Sequence, residues 1–199
     1  MSSALDPSIG DSLDVALRVA TALEGLGCAY FIGGSIASSL QGEPRATNDI
    51  DFVVALSPRQ VRAFADALGP DFEVDVDMLR DALVRGSCAN IFYLPLVTKV
   101  DLFALGQSRY DESEFARRQP IAIRASGETL YIKAPEDTVL RKLLWFQAGG
   151  EVSEKQWRDI IEVLRVSGPQ MDRAYLQHWA QALRIPHLLD RAESEAARD

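Results

Sequence analysis

Residues 31–54, FIGGSIASSLQGEPRATNDIDFVV, decide how the chain is read. A Gly-Gly-Ser turn, Gly33 to Ser35, separates an apolar run from a short helical segment, and two aspartates, Asp49 and Asp51, stand inside an apolar strand. Side chains alternate along a strand, so Asp49, Asp51 and Val53 share one face while Ile50, Phe52 and Val54 share the other. The two carboxylates therefore point the same way, from Cα atoms about 6.5 Å apart. That is within reach of one divalent cation, or of a two-metal pair spaced roughly 4 Å. The bland alternative makes both residues surface positions of an edge strand. Their apolar neighbours count against it, because such a strand is mostly buried and unpaired buried carboxylates are costly. The turn leaves backbone N–H groups and the Ser35 hydroxyl at the positive end of a helix dipole, which suits a phosphate. It lacks the lysine of a P-loop, which argues against a Walker-type NTPase.

Working outward, a second acidic strand lies downstream. In residues 98–105, TKVDLFAL, Asp101 interrupts an apolar run and shares its face with Lys99 and Phe103. Asp101 either sits in a buried salt bridge with Arg45 or Lys99, or joins Asp49 and Asp51 in a carboxylate cluster. Two acidic strands in one small sheet favour the cluster.

Around these strands the pattern is α/β. Asp11 is placed to cap a first helix whose stripe is Leu13, Leu17, Ala20, Leu23 and Leu26, and residues 28–32 read as a short buried strand. Ser57-Pro58-Arg59-Gln60 has the form of a capping box with Pro at the first helical position. Strands are expected at 72–75 and 90–94, a short helix at 77–84, and a hairpin joining 121–124 to 129–133 across Ser126-Gly127. Glu73, Asp75 and Asp77 read as a solvated strand face. From Pro135 the period changes from two to 3.6: helices are expected from 135 to the Gly149-Gly150 pair, from a capping box at Ser153 to about 166, and from 172 to 183. A short helix near His187 precedes a frayed tail. Trp145, Trp157 and Trp179 read as core. The expected organisation is a small mixed sheet flanked by helices over 1–134, followed by a helical region over 135–199.

Composition agrees. The 199 residues are 47% hydrophobic and 25% charged, ordinary for a globular protein. The net charge of −8 disfavours non-specific nucleic-acid binding. Residues 1–108 hold 14 Asp and Glu against 7 Lys and Arg, so the acidic excess belongs to the half with the aspartate strands. Cys28 and Cys88 stand far apart and, with His178 and His187 unclustered, form no zinc-site spacing; both are expected as inert thiols. No apolar run approaches the roughly 20 residues of a spanning helix, and the N-terminus has no signal-peptide pattern. The expected location is the cytoplasm, without membrane association.

G-G-S, then R-x-T-x-D-I-D across Arg45 to Asp51, then a third aspartate in K-V-D-L-F, together resemble the nucleotidyltransferase superfamily with a DNA-polymerase-β-like catalytic core. The later stretch PEDTVLRKLLWFQAGGEVSEKQWRDIIEVL is similar to the helical part of bacterial minimal nucleotidyltransferases, including relatives of the AbiEii-type abortive-infection toxins. The resemblance covers residues 15–166. It implies a nucleotidyltransferase-like α+β fold and a metal-dependent enzyme that moves NMP from an NTP to an acceptor hydroxyl and releases pyrophosphate. It implies that Asp49, Asp51 and Asp101 are catalytic and hold two Mg²⁺ or Mn²⁺ ions, and that Gly33, Gly34 and Ser35 hold the phosphates. Lys142, and Arg158 with Asp159, fall where the toxin-like relatives carry basic and acidic site residues, although Lys142 also fits a solvated helix face. Arg45 and Thr47 either contact phosphate or fix their loop. The acceptor is left open between tRNA, a protein and a small molecule, and an antitoxin partner is compatible with the resemblance. The thirteen residues between Ser35 and Asp49 exceed the spacing of the toxins themselves, so the core chemistry carries over and toxin activity does not. The alternative is a degenerate module of the same fold that binds nucleotide or a partner without catalysis.

Overall fold

The computed structural model describes residues 7–43, 49–123 and 127–198; Arg45, Thr47 and the Ser126 side of the expected hairpin turn lie outside them. Within Met1–Ile36 and Arg45–Ile132 the described residues form one compact unit, and within Ala37–Pro44 and Lys133–Asp199 a second.

The first unit is built on a mixed, open, seven-stranded sheet in the order β3-β4-β5-β2-β1-β7-β6. Its strands are β1 (Tyr30–Ile32), β2 (Asp49–Val54), β3 (Phe72–Glu73), β4 (Cys88–Tyr93), β5 (Thr98–Ala104), β6 (Gln119–Ala122) and β7 (Thr129–Ile132). β2 lies in the middle, antiparallel to β1 and parallel to β5. Ile50, Phe52 and Val54 of β2 align with Val100 and Leu102 of β5 and with Ile91 and Ala89 of β4, all of them buried. Each large side chain of that face contributes about 1.5–3 kcal/mol by leaving water, so the register is strongly specified. A one-residue slip would put the aspartates into the core instead. Helices α1 (Pro7–Gly25) and α4 (Val76–Arg85) touch the sheet, and α3 (Val61–Leu68) packs against both of these helices.

Local chemistry moves several expected boundaries. α1 starts at Pro7 rather than at Asp11, since a proline is pre-organised for the first helical turn. Ser57 and Gln60 close a turn instead of opening a helix: the Gln60 carboxamide oxygen accepts from Ser57 N at 3.2 Å and from Ser57 Oγ at 2.7 Å, and α3 begins only at Val61. Asp75 is a cap, accepting from the backbone N–H groups of Asp77 and Met78, which cuts the expected strand to Phe72–Glu73. Helix α5 (Arg109–Ala116) was not expected from the sequence; Ser108 and Asp111 form a full capping box at its start.

The second unit is helical. It contains α6 (Pro135–Ala148), α7 (Glu154–Ser167), α8 (Arg173–Ala182) and α9 (Pro186–Ala196). α9 contains the short helix expected near His187 and continues through Ala196, into the tail expected to fray. It is fastened by Trp157 Nε1, which donates to Glu195 Oε2 at 3.0 Å, and by the Arg191 guanidinium stacked 4.2 Å from the Trp157 ring. Trp145 departs from its expected core position: it is 41% exposed. Gln41, the last residue of α2 (Gly34–Gln41), acts as a polar hub in this unit. It donates to Lys133 O at 2.6 Å and accepts from Thr138 Oγ1 at 2.6 Å and from Ser167 Oγ at 2.7 Å. Among the described residues, no helix is long and apolar enough to cross a membrane.

Candidate active site

The parallel pairing of β2 with β5 sets the site. Asp51 stands opposite Asp101 and Asp49 opposite Lys99, so all four share the face turned away from the Ile50–Phe52–Val54 side. β4 continues the rows with Asn90 opposite Asp101 and Phe92 opposite Lys99. The three aspartates singled out in the sequence are thus neighbours on one surface. Their exposures differ: the Asp49 side chain is 59% exposed and that of Asp101 only 13%.

Gly33 and Gly34 fasten the turn to this row. Gly33 N–H donates to Asp51 O at 2.8 Å, tying the end of β1 to β2. Gly34 opens α2 with φ +54, and a Cβ there would overlap the Asp51 carboxylate, coming within 2.6 Å of its Cγ. The left-handed backbone favours glycine at this position, and an added Cβ would displace the Asp51 carboxylate. Ser35 follows in the first turn of α2.

Lys99 supplies positive charge to the row. Its ammonium donates to Asp101 Oδ2 at 2.9 Å and lies 3.7 Å from Asp49 Oδ1. The hydrogen bond to Asp101 holds the Lys99 pKa above its ordinary value against the opposing effect of burial, with the charges of Asp101, Asp49 and Asp51 adding to it. The sequence had offered Lys99 only as one alternative partner for Asp101. The signal was its i, i+2 position on an apolar strand, which puts both residues on one face. Nearby, burial and then the negative charges of Asp101 and Asp51 push the Cys88 thiol up to about 11, so it remains protonated and unreactive at neutral pH.

Three carboxylates provide oxygen donors only, the set that a hard divalent cation takes. One buried oxygen, Asp101 Oδ1, has no hydrogen-bond partner while its twin holds Lys99. In donor type and in this oxygen the row fits Mg²⁺ or Mn²⁺. Its side chains as they stand do not close around a cation: among the described residues, no group of three or more His, Cys, Asp or Glu is arranged to hold a metal ion.

The remaining expected site residues lie in the helical unit or outside the described residues. Lys142 is not on a solvated face. It is 5% exposed, and its ammonium donates to Asp159 Oδ2 at 2.8 Å across α6 and α7. The same unit buries Asp137, whose Oδ1 accepts from Tyr175 OH at 2.8 Å, and Glu136, which accepts from the backbone N–H of Asp172 at 2.7 Å. His178 and His187 are both exposed. Arg45 and Thr47 lie outside the described residues.

No protein-family model and no curated protein matches this chain. Solved structures do. A crystal structure of an antigenic nucleotidyltransferase-like protein from Paracoccidioides brasiliensis superposes with a TM-score of 0.57 at 18% identity, covering 97% of this chain and 95% of that one. The solution structure of the antibiotic-resistance factor ANT(2'')-Ia superposes with a TM-score of 0.51 at 15% identity, covering 93% of this chain and 98% of that one. The chain has the nucleotidyltransferase fold. A crystal structure of ANT(2'')-Ia in complex with adenylyl-2''-tobramycin shares this fold with a TM-score of 0.52 at 12% identity, covering 86% of this chain and 97% of that one. Within this nucleotidyltransferase fold, the β2–β5 pair carries the aspartate row and the β1–α2 turn carries Gly33, Gly34 and Ser35.

Proposed function

We propose that this chain is a metal-dependent nucleotidyltransferase that moves NMP from an NTP to a hydroxyl of a small-molecule acceptor. The acceptor oxygen forms the new bond to the α-phosphorus, the α–β bridging P–O bond breaks, pyrophosphate leaves, and the hydroxyl proton passes to the carboxylate row. Asp49, Asp51 and Asp101 would hold Mg²⁺ or Mn²⁺, which when bound supplies charge neutralisation of the triphosphate and alignment for in-line displacement. The observation that carries the reading is the register Asp51↔Asp101, with the Gly34 backbone against Asp51. Gly34 and Ser35 hold the leaving pyrophosphate at the start of α2, and Gly33, whose N–H is given to Asp51 O, fixes the turn that presents them. Arg45 and Thr47 are proposed as further contacts to the triphosphate, and Lys142, bonded to Asp159, as part of the helical scaffold. A small-molecule acceptor is supported by the fold shared with ANT(2'')-Ia, seen with adenylyl-2''-tobramycin.

The test is transfer of label from an α-labelled NTP in the presence of Mg²⁺. Asp49→Asn with Asp51→Asn is expected to abolish transfer while the circular dichroism spectrum stays unchanged; a double variant with full transfer places the site elsewhere. The second reading, a module that binds NTP without catalysis, is favoured by one observation: an ammonium rather than a cation-ready gap lies between Asp49 and Asp101. Calorimetry separates the two, since NTP binding indifferent to Mg²⁺, with no pyrophosphate release, belongs to the second.

A further inference from the structure

The Lys99 ammonium lies 2.9 Å from Asp101 Oδ2 and 3.7 Å from Asp49 Oδ1. These two carboxylates flank it from neighbouring strands, Asp49 on β2 and Asp101 two residues along β5 itself. The facing residues of β4, Asn90 and Phe92, carry no charge. Lys99 is thus the positive charge that this face of β2, β4 and β5 directs at its own aspartates. A divalent cation on the same carboxylates would approach its oxygens to about 2.0–2.1 Å for Mg²⁺, and on either oxygen of Asp101 it would lie close enough to repel an ammonium hydrogen-bonded to Oδ2. The two cations are alternatives for one pair of carboxylates. Lys99 can yield, because its side chain is 36% exposed on a flexible stem.

We propose, resting on the carboxylate-row reading above, that Lys99 is a tethered competitor for the divalent cation. Its ammonium holds Asp49 and Asp101 together in the metal-free protein and leaves Asp101 Oδ2 when a cation binds. Cation affinity is therefore set below what three carboxylates alone would give, and the metal-free row is spared the mutual repulsion of its aspartates. The lysine acts on the site through Asp101 and Asp49, as a positioning residue.

Direct titration of Mn²⁺ into the full-length protein, followed by the electron paramagnetic resonance signal of free Mn²⁺, tests this without any acceptor or nucleotide. Lys99→Met and Lys99→Gln are each expected to bind Mn²⁺ about 3- to 10-fold more tightly than the unmodified protein, the range between an exposed ion pair and a charge-assisted hydrogen bond. Equal or weaker binding in both variants overturns the competitor role. Asp101→Asn, and separately Asp49→Asn with Asp51→Asn, are expected to weaken Mn²⁺ binding. If both bind Mn²⁺ as the unmodified protein does, the cation is not on this row and the proposed function itself fails, whatever Lys99 does.

Discussion

Lys99–Asp101 and Lys142–Asp159 are pairs of nearly equal length, 2.9 Å and 2.8 Å, in opposite surroundings. The first lies on an open face of the sheet, with the lysine side chain 36% exposed; in the second, both side chains are 7% exposed or less. Distance alone does not distinguish them, and burial does. An ammonium near water can exchange one partner for another at small cost, whereas one inside a helical core takes with it the charge that offsets a buried carboxylate. The first pair suits a site that has to rearrange, and the second suits a scaffold.

Breaking the buried pair is the largest expected effect on stability. Lys142→Met should cost about 3–5 kcal/mol in urea denaturation, because Asp159 loses its ammonium while still buried. Replacing both residues with apolar side chains should recover most of that loss. A cost below about 1 kcal/mol for Lys142→Met would erase the contrast. Gly34→Ala is next, at about 2 kcal/mol or more, since the left-handed backbone penalty adds to overlap with the Asp51 carboxylate. It should also remove nucleotide transfer even at temperatures where the variant is fully folded.

On the open face, Cys88 reports the field of the aspartates. With its thiol held near 11, the thiolate forms only as pH approaches that value. Alkylation at pH 8 should be on the order of 100-fold slower than for an open thiol of pKa about 8.5. Asp101→Asn removes one negative neighbour and should move the alkylation profile to lower pH; an unmoved profile would mean that Asp101 does not act on Cys88. The smallest expected effect is that of Lys99→Met on stability, about 0–1 kcal/mol, because solvent screens the pair it breaks. A loss as large as that of Lys142→Met would make Lys99 a scaffold residue too.

The same contrast explains what the sequence could show. The aspartate faces were readable because a period-two strand fixes which residues share a side, and the mixed sheet with flanking helices followed from the period changes. Partners across strands were not readable: that Asp51 meets Asp101, and that Lys99 reaches Asp49, depends on the parallel register of β2 and β5, which no local pattern encodes. Lys142 had the periodicity of a helix, but its burial comes from α7 packing on α6. α5 is not legible although Ser108 and Asp111 carry its capping box, because Tyr110 and Phe115, five residues apart among charged residues, make no apolar stripe. Asp75 looked like part of an alternating strand face, and only its contacts to the backbone of Asp77 and Met78 make it a cap. The tail 192–199 looked polar enough to fray; Trp157, distant in sequence, bonds Glu195 and helps hold its first residues in α9.

Metal-dependent transfer at the aspartate row is decided by label transfer from each α-labelled NTP, with Mg²⁺, to a panel of polyhydroxylated small molecules that includes tobramycin, with mass spectrometry of the products. A nucleotidylated product and stoichiometric pyrophosphate are expected, both lost in Asp49→Asn with Asp51→Asn and both absent without a divalent cation. Full transfer by that double variant, or transfer that proceeds equally well without divalent cations, would rule out catalysis by this row.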